Sequence, residues 1–164
     1  MKLILIFLFS FIILKPLFAD TKFIVIGHLY PITNDEKVIR KLFNEIEELN
    51  PNLIFVLGDS SLHDKRIVNL FKDQFKDKVY FSPGNNEVRN GNLNEYLDNV
   101  GYLNHSFVYN DINFLLVNSN DNIFKIRKSL KRNISKRKDL IQIILTHHRI
   151  WDDTLTSRSP YSHD

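Results

Sequence analysis

The chain contains no cysteine. Neither a disulfide framework nor a thiolate-held zinc or iron–sulfur centre can therefore exist in it. Glycine and proline occur only five times each in 164 residues, which excludes collagen-like and Pro/Gly-rich low-complexity classes. A large excess of one charge is missing too. Basic residues number 22 and acidic residues 19, and two of the basic ones, Lys2 and Lys15, lie in an N-terminal segment that reads as removable. Without that pair the balance is 20 against 19, which is no nucleic-acid signature. No nucleic-acid partner is expected.

What is present is a foldable chain. Hydrophobic residues make up 43% and charged residues 25%, enough apolar surface for a packed core in a chain of one-domain size. The first twenty residues stand apart. Lys2 precedes an apolar run, Leu3–Leu14, broken only by Ser10, and Ala19 offers a small residue for cleavage. The run is about twelve residues, short of the roughly twenty that span a bilayer. This layout reads as a signal peptide over 1–19 and predicts export, with a periplasm as the expected compartment. Leu17 is larger than the residue preferred two places before a cleavage site, so an uncleaved membrane anchor is the rival reading.

The remainder, 20–164, alternates apolar strands with amphipathic helices. Thr21–Ile26, Leu53–Leu57, Val79–Phe81 and Leu140–Leu145 read as buried strands. Thr33-Asn34-Asp35-Glu36 has capping-box spacing ahead of Ile39, Leu42, Phe43, Ile46 and Leu49, which recur at helical period. Ile67, Leu70, Phe71 and Phe75 mark a second helix. Asn110-Asp111 between Ser106–Tyr109 and Ile112–Asn118 predicts an antiparallel hairpin. The fold class expected is α/β, with mixed sheets layered between helices.

The chemistry is expected at the strand ends. Gly27-His28, Gly58-Asp59, Gly84-Asn85-Asn86 and His147-His148 each follow an apolar strand. In open α/β sheets the loops at the carboxyl ends of strands converge on the ligand. Each piece alone is an ordinary turn or a structural histidine; their joint occurrence is not. Carboxylate, amide oxygen and imidazole are donors suited to Mn, Fe or Zn, and a carboxylate can bridge two such ions.

In this order and spacing the pieces resemble the calcineurin-like metallophosphoesterase family. The resemblance runs from Phe23–Tyr30 through Leu57-Gly58-Asp59, Pro83-Gly84-Asn85-Asn86-Glu87 and Phe114–Ser119 to Leu145-Thr146-His147-His148. It implies an αββα sandwich and hydrolysis of a phosphate ester by metal-activated water. It also implies Asp59 as a bridging carboxylate, Asn85 and His147 as ligands of the second metal, His28 as a further ligand, and Asn86 and His148 beside the substrate. A divalent ion of the Mn, Fe or Zn class is the expected cofactor, with one ion or two left open. Three departures stand out. His28 and Tyr30 occupy the places of the family's Asp-x-His, Asn86 that of its proton-donating histidine, and no closing Gly-His-x-His is found. The domain is therefore expected to lack its C-terminal part. The alternative is an inactive domain of this fold that binds an anionic or carbohydrate partner.

Eight cations fall between Lys125 and Lys138, interleaved with Ile126, Leu130 and Ile134 at helical spacing. This reads as a basic surface helix that is either simply solvated or attracted to anionic lipid or polysaccharide. Trp151-Asp152-Asp153 reads as either a substrate-facing or a packed loop.

Overall fold

The computed structural model describes residues 20–89, 91–134 and 139–150. The signal-peptide segment, Lys136–Lys138, the Trp151 loop and the C-terminal residues lie outside them. Two three-stranded sheets face each other between helices. The first is β1 (Phe23–Gly27), β2 (Leu53–Leu57) and β3 (Val79–Ser82), all parallel in the order β1-β2-β3. The second is β4 (His105–Tyr109), β5 (Ile112–Leu116) and β6 (Ile141–Leu145), in the order β4-β5-β6. Here β4 runs antiparallel to β5, and β6 parallel to it. Among the described residues only this second sheet is mixed.

The central strand β2 explains the layering. All five of its residues are buried, and successive side chains of a strand point to opposite faces. Ile54 and Val56 join a core with α1 (Glu36–Leu49) and α2 (Lys65–Phe75). Leu53, Phe55 and Leu57 face the other sheet and pack with Phe114, Leu116 and Leu145. Phe55 is fully buried there, its ring centroid 5.0 Å from that of Phe114. Complete burial of such a side chain contributes about 1.5–3 kcal/mol. On the far side of the second sheet, Leu115 and Val117 pack on Ile126 of α5 (Ile123–Asn133). Two short helices, α3 (Asn85–Val88) and α4 (Leu93–Val100), fill the connection between the sheets.

Three local expectations need correction. The first helix is capped by Asp35, whose side chain accepts the N–H groups of Lys37 and Val38. Thr33, itself buried, sits instead in a 3-10 turn, its Oγ1 2.9 Å from the Ser61 hydroxyl. Among the described residues no strand pairs beyond β1 or β6, and Val25, Ile141 and Ile144 are exposed rather than buried. The helix α5 stops at Asn133, which leaves Ile134 exposed rather than packed. The hairpin forms as expected, with Asn110 and Asp111 both at positive φ, 44° and 60°.

Candidate active site

All the strand-end loops singled out from sequence lie on one edge of the sandwich. Parallel strands β1, β2 and β3 put their carboxyl ends there, and β5 and β6, which run together, do the same in the second sheet. Backbone bonds stitch the loops together. The N–H of His28 donates to the Gly58 carbonyl at 3.0 Å, and that of Tyr30 to the Asp59 carbonyl at 2.9 Å. The Asn120 side-chain amide donates to the Pro83 carbonyl at 3.2 Å, tying the loop after β5 to the loop after β3.

Asp59 is the centre of this edge. Its side chain is only 6% exposed, and its oxygens have different neighbours. Oδ1 accepts the backbone N–H of Asn86 at 2.9 Å. Oδ2 lies 3.4 Å from Nε2 of His147 and 3.4 Å from Nδ1 of His28. His28 is 70% exposed at its side chain, so it approaches from the solvent side, whereas His147 comes from within.

Nδ1 of His147 is 2.9 Å from the Leu57 carbonyl. A carbonyl can only accept, so Nδ1 carries the hydrogen and Nε2 is the nitrogen turned to the carboxylate. A bare lone pair facing a carboxylate oxygen is repulsive; a proton or a metal ion between them removes the repulsion. The titration behaviour follows. Burial alone would push His147 down, but its hydrogen bonds to Asp59 and Leu57 and the negative charges of Asp59 and Glu87 push it above the ordinary imidazole range. Burial likewise raises the Asp59 carboxyl, and the bonds from His147 and Asn86 with both imidazole charges bring it below the usual carboxylate value. His148 moves the other way, lowered by burial and by the charge of its neighbour His147. Its Nδ1 is 3.2 Å from the Ser119 hydroxyl, and its own N–H donates to that oxygen at 2.9 Å.

The loops keep this arrangement at some conformational expense. His28, Asp59 and Ser61 all have positive φ, 59°, 47° and 56°, a conformation that costs a non-glycine residue roughly 1–2 kcal/mol. Gly58 and Gly84 make the close approach possible. A Cβ on Gly58 would collide with the backbone of Pro83 and Gly84, and one on Gly84 with Asp59.

What compensates is Glu87, to which the sequence reading assigns no role. It is completely buried in α3 and accepts four backbone N–H groups. Asp59 and Gly84 donate to Oε2 at 2.8 Å each, Ser60 and Leu62 to Oε1 at 3.0 and 3.2 Å. One carboxylate thus clamps the loop carrying Asp59 to the loop carrying Asn85. The signal for it is the spacing Gly84-x-x-Glu87, the half of a capping box in which the acid reaches back to the N-cap N–H.

The structure therefore gathers Asp59, His147 and His28, brings Asn86 in through its backbone, and starts α3 with a half-buried Asn85 at the same edge. Among the described residues no group of three or more His, Cys, Asp or Glu side chains is closed around a point that could hold a metal ion. The pairwise geometry still fits one. Two atoms bound to one ion at about 2.0–2.2 Å lie roughly 3–3.5 Å apart, and both imidazole contacts to Oδ2 have that separation. The Leu57 carbonyl also orients His147 in the way that a ligand histidine is usually held.

A family model for calcineurin-like phosphoesterases matches residues 21–163. The chain belongs to the calcineurin-like phosphoesterase family. The match covers both sheets, every strand-end loop and the aspartate they surround. Comparisons with curated proteins and with solved structures give no match. Phosphoester hydrolysis with the help of divalent metals is the usual chemistry of this family, and the α/β sandwich of two sheets is consistent with its fold.

Proposed function

We propose that this chain is an exported phosphoesterase that hydrolyses a phosphate ester with the help of a divalent metal ion. One observation carries the reading: Oδ2 of Asp59, the imidazole of His147 with its Nδ1 proton fixed on Leu57, and His28 converge within 3.4 Å. In this reading Asp59, His147, His28 and Asn85 hold the ion. A divalent ion held there supplies Lewis acidity toward a phosphoryl oxygen and lowers the pKa of water. Asn86 fixes Asp59 through its N–H and offers its amide to the phosphate oxygens. His148, neutral at pH 7 and anchored on Ser119, is the other substrate-side group.

Asn86 limits the reaction. An amide has no proton to give a leaving alkoxide near neutral pH. Esters with acidic leaving groups, such as p-nitrophenyl phosphate, should therefore turn over while alkyl phosphates scarcely do. The same residue favours the second reading, a domain of this fold that binds an anionic or carbohydrate partner without turnover. Export through segment 1–19 belongs to both readings, and N-terminal sequencing of the mature protein tests it.

The deciding experiment loads the full chain with Mn²⁺ and measures metal content and p-nitrophenyl phosphate hydrolysis, with Asp59→Ala in parallel. Metal uptake and turnover that both vanish in Asp59→Ala support the enzyme. Uptake without turnover favours the binding domain. Absence of both overturns the metal site.

A further inference from the structure

The helix α5 presents a face that the site does not use. Ile126 is buried against Leu115 and Val117, with Leu130 packed beside it. Asn133 donates to the Ser129 carbonyl and lies 3.1 Å from the Ser106 hydroxyl. These contacts fix the rotation of the helix about its axis, so the opposite side points outward. Residues three, four and seven apart share one side of a helix. Phe124, Arg127, Lys128 and Lys131 have that spacing and all are exposed.

Phe124 is 77% exposed, more than any other large apolar side chain among the described residues. It stands at the N-terminal end of a cationic face that runs down the helix through Arg127, Lys128 and Lys131. Asp121 pairs with Lys125 at 3.5 Å, whereas among the described residues no carboxylate pairs with Arg127, Lys128, Lys131 or Arg132. A soluble polyanion would engage the cations alone and leave the phenyl ring in water. A bilayer surface suits both groups, because the ring enters the acyl boundary while the cations meet lipid phosphates.

We propose that the outward face of α5, Phe124 followed along the helix by Arg127, Lys128 and Lys131, docks this protein onto an anionic lipid bilayer. The inference stands independently of the phosphoesterase reading. It does have a consequence for the site. Asn122 caps α5 through a 3.0 Å bond from the Lys125 N–H, and the preceding Asn120 is bonded to the loop after β3. A bilayer on this face would thus be linked through these bonds to the strand-end loops around Asp59.

The test is co-sedimentation of the full chain with phosphatidylcholine vesicles, with and without phosphatidylglycerol. The ratio of the two partition coefficients is the readout, since the apolar N-terminal segment contributes to both. The wild type should prefer the anionic vesicles, and added salt should weaken the preference. Lys128→Ala with Lys131→Ala should reduce it by roughly twentyfold. Phe124→Ser should weaken binding to the anionic vesicles by about tenfold at unchanged charge. All three positions are exposed, so the urea midpoint should not move, which separates lost docking from lost folding. Equal partition to both vesicle types overturns the proposal. Binding to dextran sulfate and to anionic vesicles that Phe124→Ser leaves intact overturns it as well, in favour of a polyanion site.

Discussion

Two buried carboxylates, Asp59 and Glu87, stand at this edge, and their surroundings give them opposite tasks. Glu87 is spent on four backbone N–H groups, whereas Asp59 keeps Oδ2 turned toward two imidazoles. Glu87→Ala should abolish stable folding, because each buried N–H left without a partner costs about 1–3 kcal/mol. Glu87→Gln keeps the volume but turns an NH2 group toward two of the donors; a loss of about 2–4 kcal/mol in urea unfolding is expected. A second prediction concerns the proton on His147. Its value is raised chiefly by Asp59 against the pull of burial, so the pair stabilises the fold below about pH 6.5, and that contribution is lost as pH rises through the raised value. In Asp59→Asn the NMR titration of His147 should shift to lower pH. An unmoved titration would mean that Asp59 does not hold that proton. A metal ion competes for the same nitrogen, so Mn²⁺ binding should strengthen as pH rises past the His147 titration and should release a proton.

At the level of elements, the hairpin between β4 and β5 decides how the second sheet is presented. Both turn residues have positive φ, which Asn tolerates better than most residues and Gly tolerates best. The Asp111 carbonyl also accepts the N–H of Ile141, so the turn fastens the start of β6 as well. Asp111→Gly keeps that carbonyl and relieves the left-handed strain. It should raise stability by about 0.5–1 kcal/mol, read as a higher urea midpoint with an unchanged slope. The start of the first helix shows the limits of local patterns. Thr33 and Glu36 have the spacing of a capping box, yet Asp35 caps the helix. Thr33 is drawn away by Ser61, 28 residues later in the chain. No local pattern contains that hydroxyl.

For the molecule as a whole, a stack of rings adds β3 and β4 to the contact between the two sheets. His105 lies 4.6 Å from the Tyr102 ring, and Phe107 lies 4.2 Å from that of Tyr80. Burial holds His105 below the ordinary imidazole range. The unfolded chain therefore binds a proton there more readily than the folded one. Stability should fall as pH drops through about 6.5 toward the lowered folded value, and it should be fully present above that window. His105→Phe keeps the stack and removes the titration. The difference between the two urea-midpoint profiles from pH 8 to pH 5 should shrink steadily as pH is raised; a constant offset would show that His105 does not link stability to pH there.

Strands, helices and the turn at Asn110-Asp111 were legible because each depends on nearby residues: apolar runs, 3.6-residue spacing, and a pair that tolerates positive φ. The α/β class follows from their alternation, and the strand-end residues Asp59, His147 and His28 were legible as a set because parallel strands send their carboxyl ends to one edge. The tertiary structure alone decided which strand lies at the centre of each sheet among the described residues, and that Val25 and Ile141 are exposed although their segments look buried. It also decided that Glu87 is a clamp rather than a surface acid, and which nitrogen of His147 faces Asp59. Periodicity reports whether a residue avoids water. The partner of a buried polar group is set by chain segments tens of residues away, and only their packing brings the two together.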